Sequence, residues 1–416
     1  EYSFLFGIDW ADQKHDIWSS DNTIDSDDPG QHLEIGSKPE LVRAWIRAAR
    51  QKFPDGRFGV GVELKNGPLI HILVDYDFID IYPINPNSLA SYRRTFNVNG
   101  AKDDIKDSRL LLDLVMHHRK RFKTLEFCDN TVRELDLLCE TRRQIIDSRT
   151  RYNNKLKSIL KSYYPLFLDV CGEDLYASMA LNLFERFPTF DSIKKARKDT
   201  IHKVYHGLKC YQKKVIDKRI NIIKSAEPVT NDAVIINASL PEAKLYASIL
   251  SEIQSTVNEL DIRIESLFSN HEDAYIFEAL PGAGSALAPR LLAAIGSNRE
   301  QFKDANEIQS YCGVAPIRVS SGTSNIVKWR YGCSKYLRQT FIEFAKASIG
   351  SSMWAEAFYK MQMARGKSHQ AAVRSLAFKW IRIIFRLWQN RERYDEMKYL
   401  QCLQKSKSPL LEYFGT

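Results

Sequence analysis

Three carboxylates crowd around the start of one predicted helix in a chain that is otherwise basic. Asp103, Asp104 and Asp107 lie in the stretch NGAKDDIKDS, which leads into the amphipathic run RLLLDLVMHH. Asp104 and Asp107 are three residues apart and share a helical face, where like charges are mildly unfavourable unless a cation lies between them. Acidic residues are also favoured at helix N-termini by the helix dipole. The spacing therefore indicates either a divalent metal site or an ordinary acidic first turn.

Two more acids end predicted strands. Asp9 closes the apolar run YSFLFGID, and Glu63 closes the run RFGVGVE. An acid at the end of an apolar strand is harder to explain by helix-start preference, and this favours the metal interpretation. Magnesium prefers carboxylate and water oxygens, and two ions about 4 Å apart stabilise the attacking and leaving oxygens of a phosphoryl transfer. We therefore expect Asp9, Glu63, Asp104 and Asp107 to hold Mg²⁺, as two ions. Nearby alternatives to Asp9 are Asp12, Asp16 and Asp21.

The elements that would position these acids alternate between short strands and helices. The runs YSFLFGIDW, HDIWSSD and QHLEIGS predict a three-stranded meander. SKPELVRAWIRAARQKF predicts a helix that begins with a capping box formed by Ser37 and Glu40. Two buried strands, in RFGVGVEL and FIDIYPIN, follow around a short helix near PLIHILVDY, and NPNSLASYRRTF predicts another helix. This order predicts a mixed sheet covered by helices, as in the ribonuclease H fold.

The composition favours a nucleic acid as the partner. The 416 residues carry a formal net charge of +9 and a sequence pI near 9.0, which predict a polyanionic ligand. The seven cysteines include no CxxC pair and no His/Cys ligand spacing, so disulfide scaffolds and zinc sites have little support. No leader pattern is present, and no apolar run reaches the roughly 18 residues of a membrane span. We expect a soluble protein of the reducing cytoplasm, with no membrane partner.

The middle of the chain, residues 124–270, has a different apolar pattern. Apolar residues recur at spacings of three, four and seven in two separate runs, which predict two long helices that pair antiparallel like a coiled coil. The first run contains Val132, Leu135, Leu138, Ile145, Tyr152, Leu156 and Ile159. The second run contains Leu245, Ile249, Ile253, Val257, Leu260, Ile264 and Leu267.

Residues 165–240, between those helices, are predicted to form an inserted basic tip. Lysine and arginine are dense there, with Lys213 and Lys214 adjacent, and Tyr205 and Tyr211 interleave with them. Such a run can neutralise phosphates while the rings stack on unpaired bases. The alternative is a solvated helix face without a ligand. The charge density favours nucleic-acid contact.

A glycine-rich turn opens the last third of the chain. Pro281, Gly282 and Gly284 precede an alanine-rich helix in ALPGAGSALAPRLLAAIG. Exposed backbone N–H groups at such a turn can meet a phosphate, in the manner of a helix-hairpin-helix. A plain turn between two helices explains the same residues.

A pair of serines lies further on, beside several cations. Ser320 and Ser321 precede a glycine in a polar segment that continues to Lys328, Arg330 and Arg338. A serine in such surroundings suits attack on a phosphodiester, because the cations stabilise both the alkoxide and the developing phosphorane charge. Ser-Ser-Gly is also ordinary loop composition, so the residues alone leave both interpretations open.

Taken in order, the motifs GIDWADQKHD, GVELKNG, KDDIKDS, LPGAG, YCGVAP, SSG and LR resemble those of the insertion-sequence-110 family of transposases, the bridge-RNA-guided recombinases. The resemblance covers roughly residues 5–125 and 275–350. It implies a RuvC-like domain with a DEDD tetrad at residues 1–123, coiled-coil helices with the basic insertion at 124–270, and a mainly helical serine transposase domain at 271–416. On the matching positions the tetrad is Asp9, Glu63, Asp104 and Asp107, and the nucleophile is Ser321. Ser320 is the alternative nucleophile.

The resemblance also implies a mechanism and partners. Ser321 would attack the scissile phosphate and form a phosphoserine link, and strand exchange would religate the DNA through a Holliday junction, with Mg²⁺ on the tetrad. Composite sites shared between subunits imply a tetramer, as a dimer of dimers. A structured bridge RNA would pair with double-stranded target and donor DNA and so select the sequence. The expected location is the cytoplasm of a bacterium or archaeon, at the nucleoid.

Two alternatives from other functional classes fit the same residues. A RuvC-like hydrolytic nuclease or resolvase would use the tetrad to activate water and would leave no protein–DNA bond. A catalytically inactive nucleic-acid-binding protein would keep the acids for structural reasons only. Replacing the predicted serine or one of the acids distinguishes these classes.

Overall fold

The computed structural model describes residues 2–21, 30–63, 67–96, 104–125, 129–321, 324–328, 330 and 333–414. The chain divides into two compact units. The first consists of Glu1–Phe127 and Gln309–Arg338, and the second of Cys128–Ile308 and Gln339–Thr416. The finer division into three domains at residues 123 and 270 remains a prediction.

The first unit contains a five-stranded mixed sheet. The helices and strands of this unit through residue 118 are β1 (Phe4–Trp10), β2 (Lys14–Asp21), β3 (Gln31–Gly36), α1 (Pro39–Lys52), β4 (Phe58–Val62), α2 (Pro68–Leu73), β5 (Ile79–Pro83), α3 (Pro86–Phe96) and α4 (Asp104–His118). The strand order is β3-β2-β1-β4-β5. β1 pairs antiparallel with β2, and β2 with β3, whereas β1 with β4 and β4 with β5 are parallel. The predicted meander and mixed sheet are confirmed.

The two faces of the sheet carry separate apolar cores, because successive side chains of a strand point to opposite faces. Phe6 and Ile8 of β1 pack on one face with apolar residues of α1 and α2. Leu5 of β1 packs on the other face with Leu111 and Val115 of α4. The sequence therefore folds this unit as a sheet between two helical layers.

The start of α1 differs from the prediction. Its N-cap residue is Lys38, whose side chain forms no capping hydrogen bond, and Pro39 occupies the first turn, where a missing N–H costs nothing. The Ser37 hydroxyl instead donates a hydrogen bond to the backbone carbonyl of Asp12, at 2.6 Å. The predicted capping box of Ser37 and Glu40 is wrong, because the serine lies one residue too early and is used by the preceding loop.

The second unit is built on two long helices. Its elements through residue 295 are α5 (Asn130–Tyr163), α6 (Leu166–Cys171), α7 (Ser178–Arg186), α8 (Phe190–Lys195), α9 (Lys198–Gly207), α10 (Lys213–Ser225), α11 (Ala233–Ser269), α12 (Ala274–Glu278) and α13 (Gly284–Ile295). α5 and α11 run antiparallel. Arg149 Nη1 near the middle of α5 lies 2.9 Å from Gln254 Oε1, and Glu134 Oε1 near its start lies 2.7 Å from Arg263 Nη2 toward the end of α11.

The remaining elements are α14 (Ala305–Tyr311), β6 (Ile317–Ser321), β7 (Ser324–Lys328), α15 (Lys335–Ser348), α16 (Met353–Ala364), α17 (His369–Asn390) and α18 (Glu396–Lys405). β6 and β7 form an antiparallel hairpin. The chain is therefore an α/β sheet region followed by a mostly helical remainder, as predicted. Within the described residues, no helix is both long enough and apolar enough to span a membrane.

Candidate functional site

Two glycines bring α4 into direct backbone contact with the sheet. Gly7 of β1 and Gly61 of β4 are paired in the parallel register. A Cβ atom on Gly7 would lie 2.1 Å from the Ser108 carbonyl oxygen, and one on Gly61 would lie 2.9 Å from the Leu111 carbonyl oxygen. Any larger side chain at Gly7 would therefore displace the helix. Gly7 lies two residues before Asp9, and Gly61 lies two residues before Glu63. Each glycine that contacts α4 is therefore followed by one of the predicted metal ligands.

The sheet face under α4 carries a row of carboxylates. Asp9 of β1 pairs with Asp16 of β2, and Asp16 pairs with Glu34 of β3, so the three side chains point to the same face. Alternation along β1 puts Asp9 on the face of Gly7, which α4 covers. Glu63 directly follows Val62, the last residue that β4 pairs with β1. We name this side of the sheet, with Glu34, Asp16, Asp9 and Glu63, the acidic face.

Two neighbouring side chains form hydrogen bonds with Asp16 and Glu34, the members of this row on β2 and β3. His32 Nε2 lies 2.8 Å from Asp16 Oδ1, and Lys14 Nζ donates to Glu34 Oε2 at 2.5 Å. The pKa of the Lys14 ammonium is raised, first by this hydrogen bond to Glu34 and further by the carboxylates of Asp16 and Asp104. Asp104 at the start of α4 is therefore near enough to interact with Lys14 on the acidic face. Like charges opposite one another destabilise a strand pair, so such partners are required.

The four predicted metal ligands lie in different surroundings. Asp9 is 8% exposed at the end of β1, whereas Asp104 is exposed at the first position of α4. Asp107 is 1% exposed, and Arg93 of α3 holds it with two hydrogen bonds, Nε to Oδ1 at 2.6 Å and Nη2 to Oδ2 at 2.5 Å. In the part of the chain that the structure describes, no three His, Cys, Asp or Glu side chains are gathered closely enough to hold a metal ion.

Sequence reasoning missed three residues of this site. Lys14 and His32 could have been found from the alternation in β2 and β3, where polar side chains recur at every second position on the face of Asp16. Arg93 could not, because its pairing with Asp107 depends on how α3 packs beside α4.

The predicted nucleophile ends a strand of the β6–β7 hairpin. Ser321 pairs with Ser324 and Ser320 pairs with Asn325, and both Ser320 and Ser321 are exposed. The Ser321 hydroxyl forms no hydrogen bond with any residue that the structure describes. The assignment of the nucleophile to Ser321 remains a prediction.

The cations predicted around the serines have their own contacts. Lys328 ends β7. Arg330 Nε donates to the Ala315 carbonyl at 3.3 Å, and Arg338 Nη2 lies 2.8 Å from Cys333 Sγ. Both arginines thus help to hold the segments that flank the hairpin. Their predicted role in nucleic-acid binding stays a prediction.

The glycine-rich turn before α13 packs against the end of α15. Gly282 has φ of +79°, and a Cβ atom there would lie 2.7 Å from the Ala347 carbonyl oxygen at the end of α15. Gly284, with φ of +54°, has open space around it. The left-handed conformations and the close approach both require glycine, which explains these residues without a phosphate. Phosphate binding by Gly282 and Gly284 remains a prediction.

The basic segment between α5 and α11 has its own apolar core, and part of its charge is used internally. The Lys194 ammonium donates to the carbonyls of Lys224 and Ala226, and the Lys224 ammonium donates to those of Lys194 and Ala196. Tyr205 is completely buried, so the expectation that its ring stacks on a base is wrong. This tyrosine lies in the core of the segment and not on its surface.

The other predicted contact residues of this segment are exposed. Lys213 and Lys214 begin α10, and the buried residues Ile216 and Ile220 of that helix pack into the core of the segment. Tyr211 is 67% exposed. These three side chains stay candidates for contact with a polyanion.

Comparison with known proteins identifies two family domains in this chain. Residues 6–165 match the IS110 DEDD family described as Transposase, and residues 274–360 match the Transposase IS116/IS110/IS902 family. A Streptomyces coelicolor protein that carries the name of a transposase for the IS117 mini-circle is 25% identical over 429 residues, covering 98% of this chain and 97% of that protein. The 43.6 kDa protein of insertion element IS110 from the same organism is 25% identical over 299 residues, covering 71% and 72%. A Sinorhizobium fredii protein that carries the name of a transposase, y4uE, is 27% identical over 200 residues, covering 48% of this chain and 55% of that protein. The chain therefore belongs to the IS110 family of transposases, a family whose activity is the transposition of insertion-element DNA.

Proposed function

We propose that the chain exchanges strands of double-stranded DNA through a covalent link to Ser321, with Mg²⁺ held at the acidic face. The observation that carries this proposal is the seating of α4 on Gly7 and Gly61, because it brings an acidic first turn to a sheet face that already carries carboxylates. The strand order and this crossing helix are those of the ribonuclease H fold, which supports a RuvC-like domain.

The donor types of the acidic face suit a hard divalent cation, and the described side chains would have to close on the ion to bind it. All of the donors are carboxylates, the ligands that Mg²⁺ prefers, and they belong to one sheet face and the helix lying on it. Asp9, Glu63 and Asp104 would hold the metal directly, as two ions with water completing their shells. Asp107 would join them only when Arg93 releases it, because both of its oxygens are now bonded to that guanidinium. When bound, Mg²⁺ would stabilise negative charge on the reacting phosphate.

The serine step conserves the energy of the phosphodiester bond. The Ser321 oxygen forms a bond to phosphorus as the bond from phosphorus to one deoxyribose oxygen breaks. The hydroxyl proton leaves the serine, and the departing deoxyribose oxygen gains a proton. A hydroxyl of the incoming strand then attacks the phosphoserine and restores the serine, so religation needs no external energy source. The exposed Ser321 at a strand end is accessible to such a phosphate.

Resemblance to the family supports the proposed partners. The long antiparallel helices α5 and α11 fit the coiled-coil linker, and the segment between them fits an inserted tip. A bridge RNA would select target and donor DNA by base pairing, and the net charge of +9 suits both polyanions. Composite sites shared between subunits predict a tetramer, as a dimer of dimers.

Trapping of a protein–DNA adduct tests this proposal against a hydrolytic nuclease. Purified protein, guide RNA and labelled DNA are denatured during the reaction and resolved by size. The parent chain should yield DNA that migrates with protein, and Ser321→Ala should yield none. Continued DNA cleavage by Ser321→Ala without any adduct in the parent would instead establish a hydrolytic nuclease.

Replacement of one acid tests whether the chain is an inactive binder. Asp104→Asn should abolish strand transfer while the chain stays folded and still binds DNA, because Asp104 is exposed and its loss creates no cavity. Unchanged strand transfer in this variant would contradict the metal assignment.

A further inference from the structure

A cavity of about 420 Å³ lies between α17 and α18 in the second unit. It is outside the matched family segment 274–360 and away from the residues assigned above. One wall is the face of α17 that carries Lys379, Arg382 and Arg386, and another contains Tyr394 and Tyr399. We name this space the cationic cavity.

The three cations of α17 share one face without a carboxylate partner. They stand at positions i, i+3 and i+7, which puts their side chains on adjacent turns of one helical face. Arg382 and Arg386 are exposed, and neither forms an ion pair or a hydrogen bond through its side chain with any residue that the structure describes. Like charges on adjacent turns repel one another, so this stripe is unfavourable unless an anion binds to it.

The two acids that line the cavity, Glu392 and Asp395, already have partners. Glu392 Oε2 lies 3.6 Å from Lys398 Nζ, so these two charges offset one another. Asp395 is the N-cap of α18, and its carboxylate accepts a hydrogen bond from the backbone N–H of Lys398 at 3.1 Å. The lining therefore keeps an excess of positive charge. This distribution disfavours a cation as the ligand and favours an anion.

Lys379 adds a partly buried ammonium to the wall. Its Nζ lies 4.8 Å from the ring centre of Phe358, 5.1 Å from that of Trp354 and 5.8 Å from that of Tyr399. Burial lowers the pKa of Lys379 to about 8, and the neighbouring Arg382 acts in the same direction. The rings stabilise the ammonium by cation–π contact, and none of the described carboxylates pairs with it.

We infer that the cationic cavity binds a phosphate of a nucleic-acid backbone, with Arg382 and Arg386 donating to its oxygens and Lys379 adding charge beside them. Guanidinium groups match the geometry of phosphate oxygens and can donate two hydrogen bonds each. The cavity is larger than a phosphate alone, so a sugar can enter with it. A family that acts on DNA supplies this ligand class, and the site is independent of Ser321 and the acidic face.

A charge-matched pair of double variants tests the inference in the full-length chain. Arg382→Gln/Arg386→Gln removes two cations from the cavity. Arg365→Gln/Lys405→Gln removes two exposed cations elsewhere in the second unit. Affinity for a DNA duplex of unrelated sequence and for a single-stranded RNA is measured separately at several salt concentrations, with circular dichroism as the check on folding.

The cavity variant should bind at least one of the two nucleic acids about tenfold more weakly than the control variant. The slope of log affinity against log salt should fall by about one to two, because one or two phosphates are no longer neutralised by the protein. The nucleic acid that shows the change is the source of the phosphate. Arg382→Lys/Arg386→Lys, which keeps the charge but loses the guanidinium geometry, should lie between parent and Gln variant. Equal affinities and equal salt slopes for the cavity and control variants would overturn the inference.

Discussion

The acidic face of the first unit and the cationic cavity of the second unit are lined by charges of opposite sign. On the acidic face, Lys14 pairs with Glu34, and His32 hydrogen-bonds to Asp16. In the cavity, Glu392 lies beside Lys398, and Asp395 caps the N-terminus of α18. Arg382 and Arg386 have no such partner among the residues that the structure describes. One region is lined mainly by carboxylates and the other mainly by cations.

This difference separates a site for chemistry from a site for binding. A row of carboxylates on a covered sheet face suits a metal ion that acts on a phosphate. Excess guanidinium beside an open cavity suits the phosphate itself. The basic segment at residues 165–240 shows that a dense run of lysines in the sequence is not a set of free charges in the structure. Its lysines looked free in the sequence, yet Lys194 and Lys224 each bind backbone carbonyls of the segment.

Removal of one acid from the acidic face should have the largest effect. Asp9→Asn should lower strand cleavage by about a thousandfold or more, because it removes a metal ligand that the transition state needs. Asp12→Asn is the matched control, since Asp12 is exposed three residues away. Cleavage rates of the two variants are compared with the parent. Similar losses in both variants would mean that general negative charge, and not the acidic face, supports activity.

Loss of the cation beside Asp107 should have the next largest effect, on stability. Arg93→Met leaves the buried Asp107 carboxylate without its guanidinium, and the free energy of unfolding should fall by about 3–5 kcal/mol. Arg93→Met/Asp107→Leu should recover part of that loss, because no unpaired charge remains. Urea unfolding measures both variants. A double variant no more stable than the single one would show that the pair is not energetically coupled.

The contact between α4 and β1 should be sensitive to a single methyl group. Gly7→Ala should lower the free energy of unfolding by about 2–3 kcal/mol, because its Cβ would meet backbone atoms of α4. Gly350→Ala, where nothing lies within 4 Å of the added Cβ, is the control. Thermal and urea unfolding compare the two variants. If Gly7→Ala is as stable as the control, then α4 is not held against the sheet in this way.

Lysines of the basic segment should divide into structural and surface groups. Lys224→Met should lower the free energy of unfolding by about 1–2 kcal/mol, because two carbonyls lose their donor. Lys213→Met should leave stability within about 0.5 kcal/mol of the parent and weaken nucleic-acid binding instead. Unfolding curves and binding titrations are measured on both variants. A loss of stability in Lys213→Met, together with weaker nucleic-acid binding in Lys224→Met, would refute this division.

The sheet and its crossing helix could be predicted from the apolar pattern. β1 and β4 are short, nearly continuous apolar runs, and their residues 5–9 and 58–62 are buried, as is typical of strands covered by helices on both faces. Asp9 and Glu63 could be expected at one end of the sheet for the same reason, since parallel strands end at the same edge. The paired glycines before them are also visible in the sequence, although their role required the register.

Contacts between distant segments could not be predicted. The pairing of Arg93 with Asp107 depends on the packing of α3 beside α4, and burial of Tyr205 depends on how five short helices close around a core. The cationic cavity was missed because its residues come from α17, α18 and the segment between them, and only the stripe on α17 has a local spacing. The choice of Ser321 rested on resemblance, because Ser320 and Ser321 are both exposed in one strand.

The most direct test of the proposed strand exchange is the identity of the residue that carries DNA. A protein–DNA adduct formed during strand exchange is digested with protease and nuclease, and the nucleotide-bearing peptide is sequenced by tandem mass spectrometry. We predict a nucleotide on Ser321, and no adduct when Asp9→Asn is used. Attachment to Ser320 or to any other residue, or strand exchange without an adduct, would contradict the proposal.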